Sequence, residues 1–256
     1  MTRSEPGRGL ALALLLAIIL LFAASCNRGP SAAEALSAAS RRVSFGTLAQ
    51  LGPHRMQATV TRSEPGSADL DTETLELDWG DLDNFQVRRV RNGRVRSELR
   101  VLRGEAWVRV GSSPFNHYDD AELYRVELAS TWNMFDQALS PFEGRIQLLD
   151  GQETVVEGRP AMRYTVALSP EDAEPPKRGH RPQSLSGEVV LDQATALRLI
   201  AKVEGTYLEN GRADRSRQVR LELTRSEIGL LPAIEAPQRE RKTGKRKTEG
   251  AEAPEP

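Results

Sequence analysis

From Pro53 onward, apolar and polar residues alternate with a period of two. Met56, Ala58 and Val60 open the series. Leu75, Leu77 and Trp79 follow, then Phe85 and Val87, then Val95, Leu99 and Val101, then Ala106, Val108 and Val110. Successive side chains of a strand point to opposite faces, so each run predicts a strand with one apolar and one polar side. Turn signals separate the runs: Glu64-Pro65-Gly66-Ser67, Gly80-Asp81, Asn92-Gly93 and Gly104. Asn92-Gly93 is the strongest of these, because both residues accept the positive φ angles of a two-residue hairpin. Hairpin-linked strands with one wet face predict an antiparallel sheet.

The same period returns after residue 145. Ile146 and Leu148 predict one strand and Thr154-Val155-Val156 the next. Gly158-Arg159-Pro160 reads as a turn, and Met162, Tyr164, Val166 and Leu168 alternate again. Residues 169–184 are polar and Pro-rich and predict a long loop without regular structure. Val189 and Leu191 begin a last group. Leu197, Leu199, Ala201, Val203, Gly205 and Tyr207 share one face of a long strand, Asn210-Gly211 opens a hairpin, and Val219, Leu221 and Leu223 form the final strand.

Two segments carry a helical period instead. Over residues 32–51, Leu36, Ala39, Val43 and Leu48 suggest a helix, with Ser31 and Glu34 spaced as a capping box and Gly46 and Gly52-Pro53 as its breakers. Residues 119–139 predict one central helix, capped by Asp119 or Asp120 and stopped by Pro141. On it Ala121, Tyr124, Leu128, Trp132, Phe135 and Leu139 fall on one side, and Leu123, Val126 and Met134 widen that side. Such a helix packs on the sheet as core, or lies as a lid over an apolar cavity; the two are compatible.

The chain opens differently. Arg3 and Arg8 precede an apolar run from Leu10 to Ala24, and small residues lead into Cys26, the only cysteine. This is the layout of a secretory signal peptide, and the run is short for a membrane-spanning helix. Cys26 at the junction resembles the lipobox of bacterial lipoproteins, in which the Cys becomes the acylated N-terminus. Ala23 stands where that family usually has Leu. Ala23-x-Ser25 also satisfies ordinary signal cleavage, and an uncleaved anchor is a third reading. A lone cysteine placed here is a coincidence under the last two, so lipidation of Cys26 is the expectation. The expected division is a signal peptide over 1–25, a lipidated tether over 26–31, one domain over 32–234, and a disordered tail over 235–256. Within that tail residues 239–247 hold six basic residues and one acid. Contact of the tail with anionic lipid head groups is the alternative to a solvated end.

Charge and composition narrow the classes. Without residues 1–25, which hold Arg3, Arg8 and Glu5, 33 basic and 35 acidic residues remain, so no nucleic-acid partner is implied. A single cysteine leaves an ordinary apolar core to hold the fold. His54, His117 and His180 are isolated and read as loop or strand-edge residues, without zinc-ligand spacing. No G-x-S-x-G elbow or phosphate-cradling loop is present. Asp119, Asp120 and Glu122 read as helix-start acids rather than a catalytic pair. No cofactor and no enzymatic activity are expected.

The order of signal peptide with Cys, helix, strand meander, central helix and further strands resembles the half-barrel family of periplasmic lipid and lipoprotein carriers, typified by LolA, LolB and the LppX/LprG lipoproteins. Val156-Glu157-Gly158-Arg159-Pro160-Ala161-Met162-Arg163-Tyr164 resembles that family's turn-then-strand segment ending in an aromatic. Gly187-Glu188-Val189-Val190-Leu191-Asp192-Gln193-Ala194-Thr195 resembles its strand followed by Asp-x-x-Thr and a return strand. Physically, the second pattern is a tight hairpin whose Asp side chain bonds the turn backbone. The family often has Gly after that Thr, where this chain has Ala196, and Pro two or three residues later, where it has Arg198 and Leu199.

The resemblance implies an α+β fold: a curved antiparallel half-barrel of roughly 10–11 strands wrapped around one N-terminal and one central helix. It implies a monomeric cell-envelope lipoprotein, anchored through Cys26 and facing the periplasm. Asn27 rather than Asp after the Cys points to the outer membrane. Its function would be to bind or carry a lipid, glycolipid or lipidated protein in an apolar cavity. Leu128, Trp132, Phe135 and Tyr207 are the expected lining, and each is equally readable as dry core. The alternative is a structural or sensory lipoprotein with a filled core, acting through protein contacts at 169–184 and the basic tail.

Overall fold

The structure, a computed structural model, describes residues 44–131, 134–170, 179–212, 214–230 and 232–237; the side chains of 126–127, 129–131, 134–136 and 211 lie outside what it describes. The signal peptide, Cys26, the tether, residues 32–43, Trp132, and the basic segment 239–247 therefore also lie outside it.

Eleven strands form one antiparallel sheet in the order β6-β5-β4-β3-β2-β1-β11-β10-β9-β8-β7. They are β1 (His54–Ser63), β2 (Asp71–Asp81), β3 (Asn84–Arg91), β4 (Arg94–Leu102), β5 (Glu105–Val110), β6 (Asn116–Tyr118), β7 (Ile146–Val156), β8 (Arg159–Leu168), β9 (Arg181–Asp192), β10 (Arg198–Leu208) and β11 (Ser216–Ser226). β6 and β7 are the two edges and do not pair, so the sheet is open, with the curved half-barrel layout expected. Two meanders, β2 to β6 and β7 to β10, flank a central pair in which the first strand meets the last, Met56 opposite Arg225.

The alternation read from the sequence sets the register. Met56, Ala58, Val60, Leu75, Leu77, Trp79, Phe85, Val87, Leu99 and Val101 are all buried on one face, as are Tyr164, Val166, Val189, Ala201, Val203, Leu221 and Leu223. Asn92 and Gly93 take φ angles of 50° and 74°, the geometry that hairpin needs. Val110, at the end of β5 beyond its pairing with β6, is 69% exposed, so the alternation continues there without a core to meet it.

Helix α1 (Phe45–Leu51) feeds β1. Ser44 caps it: its Oγ accepts from Thr47 N at 3.2 Å, and Thr47 Oγ1 accepts from Ser44 N at 3.1 Å. The capping box thus lies at Ser44, and the expected Ser31 cap lies outside the described residues. Gly46, expected to break the helix, sits in its first turn; Gly52, with φ 88°, ends it.

The central helix expected over 119–139 is described in two stretches, α2 (Glu122–Thr131) and α3 (Met134–Leu139), with residues 132–133 between them outside the described residues, and a 3₁₀ turn over Ser140–Phe142 follows. Asp120 Oδ1 accepts from Glu122 N at 2.8 Å, which is the capping role assigned to it. α3 ends at Leu139, ahead of Pro141 as expected, and Pro141 lies near the start of the 3₁₀ turn, where a missing N–H leaves no bond unmade. α3 packs over the central strands β1 and β11, and the 3₁₀ turn over β9.

Three other expectations change. The strands expected at 146–148 and 154–156 are one strand, β7, whose register shifts between Leu149 and Gln152 at a bulge with Asp150 at φ 54°. The turn expected at Gly158-Arg159-Pro160 is Glu157-Gly158, at φ 52° and 77°, and Arg159 and Pro160 already belong to β8. Arg181–Ser184, expected in the polar loop, are the first residues of β9, paired with Ser184 opposite Thr206 and Arg181 opposite Leu208. At the C-terminal end, residues 232–237 have no regular structure, yet Arg100 Nη1 donates to Glu235 O at 3.0 Å, so the chain returns to the polar face of β4.

Candidate functional site

Followed along each strand, the inner face changes character at one rim. In β1 it runs Met56, Ala58, Val60 and then Arg62. In β2, read backwards, it runs Trp79, Leu77, Leu75, then Glu73 and Asp71; in β3, Phe85 and Val87 give way to Arg89 and Arg91. In β11, Arg217 precedes Val219, and in β10 Gly205 is followed by Tyr207. Antiparallel pairing brings these positions together, Arg62 opposite Asp71 and Tyr207 opposite Arg217. The apolar inner face therefore ends at a charged rim, the mouth of the sheet.

Ion pairs organise the mouth. Arg89 Nη2 lies 2.5 Å from Glu73, Arg91 Nε 2.8 Å from Asp71, and Arg217 bonds Glu64. The Arg91 guanidinium holds the Asp71 carboxyl below its usual range. A groove of about 560 Å³ lies here, lined among others by Arg62, Leu70, Asp71, Tyr207, Glu209 and Arg217. Leu70 at its edge is 57% exposed.

Tyr207 joins the mouth to the interior. Its ring meets Phe142 edge-on at 5.9 Å and His180 at 5.2 Å. Burial, followed by the charge of Glu209, pushes its hydroxyl pKa up. Phe142 is fully buried, and Gly205 gives it room: a Cβ there would stand 2.6 Å from Phe142 Cζ and 2.8 Å from Ser184 O. Leu185 lies against the same spot.

The four expected lining residues thus fare differently. Leu128 is fully buried on α2, and Tyr207 is half-buried at the mouth. Phe135 lies on α3 with its side chain outside the described set, and Trp132 lies outside it altogether. Phe142 and Leu185 carry no signal in the sequence, and His180, read there as an isolated loop or strand-edge residue, meets Tyr207. Gly205, interrupting a run of inward-facing residues, is the one sequence signal that something large must rest on β10.

At the opposite rim the interior ends in a buried polar cluster. His54, expected at a strand edge, is fully buried: its Nδ1–H donates to Gly52 O and its Nε2 accepts from Arg225 Nη1, both at 2.7 Å. A guanidinium only donates, so this geometry requires neutral imidazole. Burial, then the Arg225 charge, lowers the His54 pKa to about 4. Burial, then the nearby Arg198, lowers that of Arg225 to about 9. Close by, Asp192 closes the β9–β10 hairpin. Its Oδ1 accepts from Thr195 N and Oγ1, both at 2.8 Å, and its Oδ2 accepts from Arg159 Nε at 2.7 Å. Burial alone would raise its pKa; the bonds from Arg159 and Thr195 hold it low. These bonds close this rim by tying β8 to β9, β11 to β10, and the start of β1 to β11. Among the described residues no three His, Cys, Asp or Glu are grouped to hold a metal ion, and no helix is long and apolar enough to cross a membrane.

No family model and no curated protein matches the chain. Solved structures similar to it include MucB from Pseudomonas aeruginosa, in a complex with MucA. That match has 21% identity, covers 74% of this chain and 57% of the other, and has a TM-score of 0.28. A LolA superfamily protein from Nitrosomonas europaea has 10% identity over 79% of this chain and 96% of the other, with a TM-score of 0.26. A domain assigned to outer membrane lipoprotein sorting from Vibrio parahaemolyticus has 8% identity over 78% and 92%, with a TM-score of 0.22. The chain spans 57% of the MucB chains it matches. These scores carry no weight for ligand or partner, and the fold rests on the strand order above.

Proposed function

We propose that this protein is a cell-envelope lipoprotein that binds an amphiphile, with acyl chains on the inner face of the sheet and the polar end at the mouth. The observation that carries this reading is the inner-face register, apolar from the closed rim through Val60, Leu75, Val87 and Val219 and charged at the rim where the groove beside Tyr207 opens. A site for a molecule with two ends needs both kinds of surface in that order. Each methylene moved from water to such an interior gains about 0.8 kcal/mol, so a long chain binds without specific polar contacts. The protein then acts by holding and releasing, and α2, α3 and the 3₁₀ turn are the elements that would move for a chain to leave.

In this reading Cys26 carries the acyl anchor, the domain faces the periplasm from the outer membrane, and a monomer suffices. Leu128, Trp132, Phe135 and Tyr207 contact the chain. The ligand is a lipid, a glycolipid or the acyl part of a lipidated protein.

Native mass spectrometry of the full-length protein before and after organic extraction tests the reading. A bound mass that leaves with the organic phase is expected and names the ligand class. A bare mass, together with no uptake of a fluorescent fatty acid, overturns it in favour of a filled-core lipoprotein acting through protein contacts. A Cys26→Ser variant found in the membrane fraction as fully as the parent would refute the anchor.

A further inference from the structure

Arginines of this chain repeatedly use one edge of the guanidinium, Nε with Nη2, to clasp a carboxylate. Arg91 holds Asp71 at 2.8 and 2.9 Å, Arg159 holds Asp192 at 2.7 and 3.3 Å, and Arg212 holds Asp214 at 3.0 and 2.7 Å. Arg145 presents the same edge half-filled. It is 7% exposed; its Nη2 donates to Ser169 O at 2.7 Å, and its Nε has no acceptor. Ser169 Oγ is likewise buried without a partner, in the residue whose carbonyl Arg145 holds and whose N–H donates to Arg145 O at 2.8 Å. Among the described residues no carboxylate pairs with Arg145.

The place is the mouth. Arg145 N donates to Phe142 O at 2.9 Å, directly after the 3₁₀ turn, and Phe142 packs against Tyr207. Ile146 and Leu168, the neighbours of Arg145 and Ser169, are opposite each other where β7 begins and β8 ends. A buried donor without an acceptor is costly, and a charged one more so. Two such groups lie on touching residues, beside the aromatic pair of Phe142 and Tyr207.

We propose that Arg145 Nε and Ser169 Oγ bind the anionic oxygen head group of the amphiphile, a carboxylate or a phosphate monoester. Its chain would run past Phe142 and Tyr207 into the inner face. This rests on the carrier reading and assigns the chemistry of the head group within it. The Ser169 hydroxyl adds a second donor to the same oxygen, and the backbone bonds between the two residues hold the donors in place before the ligand arrives.

The test titrates the full-length protein calorimetrically with three probes of one chain length: dodecanoate, dodecyl phosphate and dodecanol. At least one anion is expected to bind about tenfold or more tighter than the alcohol, the gain typical of a hydrogen bond to a charged group. Which anion is preferred identifies the head group. Arg145→Met is expected to abolish the preference for the anion over dodecanol. Ser169→Ala keeps the guanidinium and its backbone acceptor, and narrows the preference by about threefold; it decides the matter if Arg145→Met does not fold. Equal binding of all three probes overturns the head-group assignment and leaves the carrier reading standing. An Arg145→Met variant that retains the preference overturns the assignment as well. Failure of all three probes to bind overturns the carrier reading and this inference with it.

Discussion

Gly205→Ala is the sharpest probe of how the helical cover seats on the sheet. The added Cβ would lie 2.6 Å from Phe142 Cζ, 2.8 Å from Ser184 O and 3.0 Å from Leu185 Cδ1. One of the three obstacles is backbone, held by the Leu185–Gly205 position of the β9–β10 ladder, so the clash cannot be relieved by a side chain alone. Replacing Gly by Ala in a strand otherwise gains about 0.5–1 kcal/mol of backbone entropy. Overpacking of this kind costs about 1–3 kcal/mol, and the net expectation is a loss of about 1–2 kcal/mol. For a domain of this size that lowers the thermal midpoint by about 3–6 °C. The ring pair of Phe142 and Tyr207 should loosen at the same time, so near-ultraviolet circular dichroism should change below the transition. Gly46→Ala is the control, because its nearest neighbour is Ser44 Oγ at 3.7 Å and helix propensity favours Ala; it should stabilise by a few tenths to about 1 kcal/mol. A Gly205→Ala midpoint equal to or above that of the parent would refute the argument that Phe142 rests on this glycine.

Two further expectations follow from the closed rim. Ala196 stands at φ 57°, a conformation that glycine adopts freely and alanine does not, so Ala196→Gly should stabilise by about 1 kcal/mol, read from urea denaturation. His54 titrates at about 4 when folded and near 6.5 when unfolded, so between those values the unfolded chain binds more protons. Its contribution is intact above 6.5, falls with pH by up to about 3 kcal/mol in total, and is spent near pH 4. Asp192, whose pKa is depressed, adds its loss only below about 3.8. Stability measured from pH 7 to 4 should therefore slope downward, and a His54→Asn variant with the same slope would remove His54 as the cause.

The sheet was legible in the sequence because burial on one face imposes a period of two that turns cannot blur. Where two faces differ less, the pattern gave way. β7 reads as two strands because the bulge at Asp150 moves its side chains to the other face midway. Arg181–Ser184 read as loop because β9 there extends beyond the paired end of β8 and its residues are proline and polar ones, although Pro182 is buried opposite Tyr207. His54 was misread because its partner, Arg225, is brought to it by a pairing between chain ends that no local pattern encodes. At the mouth, Tyr207 follows from alternation, whereas Phe142 and Arg145, in the connection before β7, and Ser169, directly after β8, meet only in the folded chain.

The pairing of β1 with β11 sets the order in which the molecule can assemble. β2 to β6 and β7 to β10 are runs of neighbouring hairpins that can each form as soon as their own residues are available. Joining them waits for the last strand, since Met56 must find Arg225. A ribosome or an export channel still holding β11 therefore keeps the chain as two separate ribbons. The same layout makes the connection between β6 and β7 the natural place to cut. Fragments divided there would each carry one partner of the central pair, and reassembly of the two, scored by a split reporter, would follow from that single strand–strand seam.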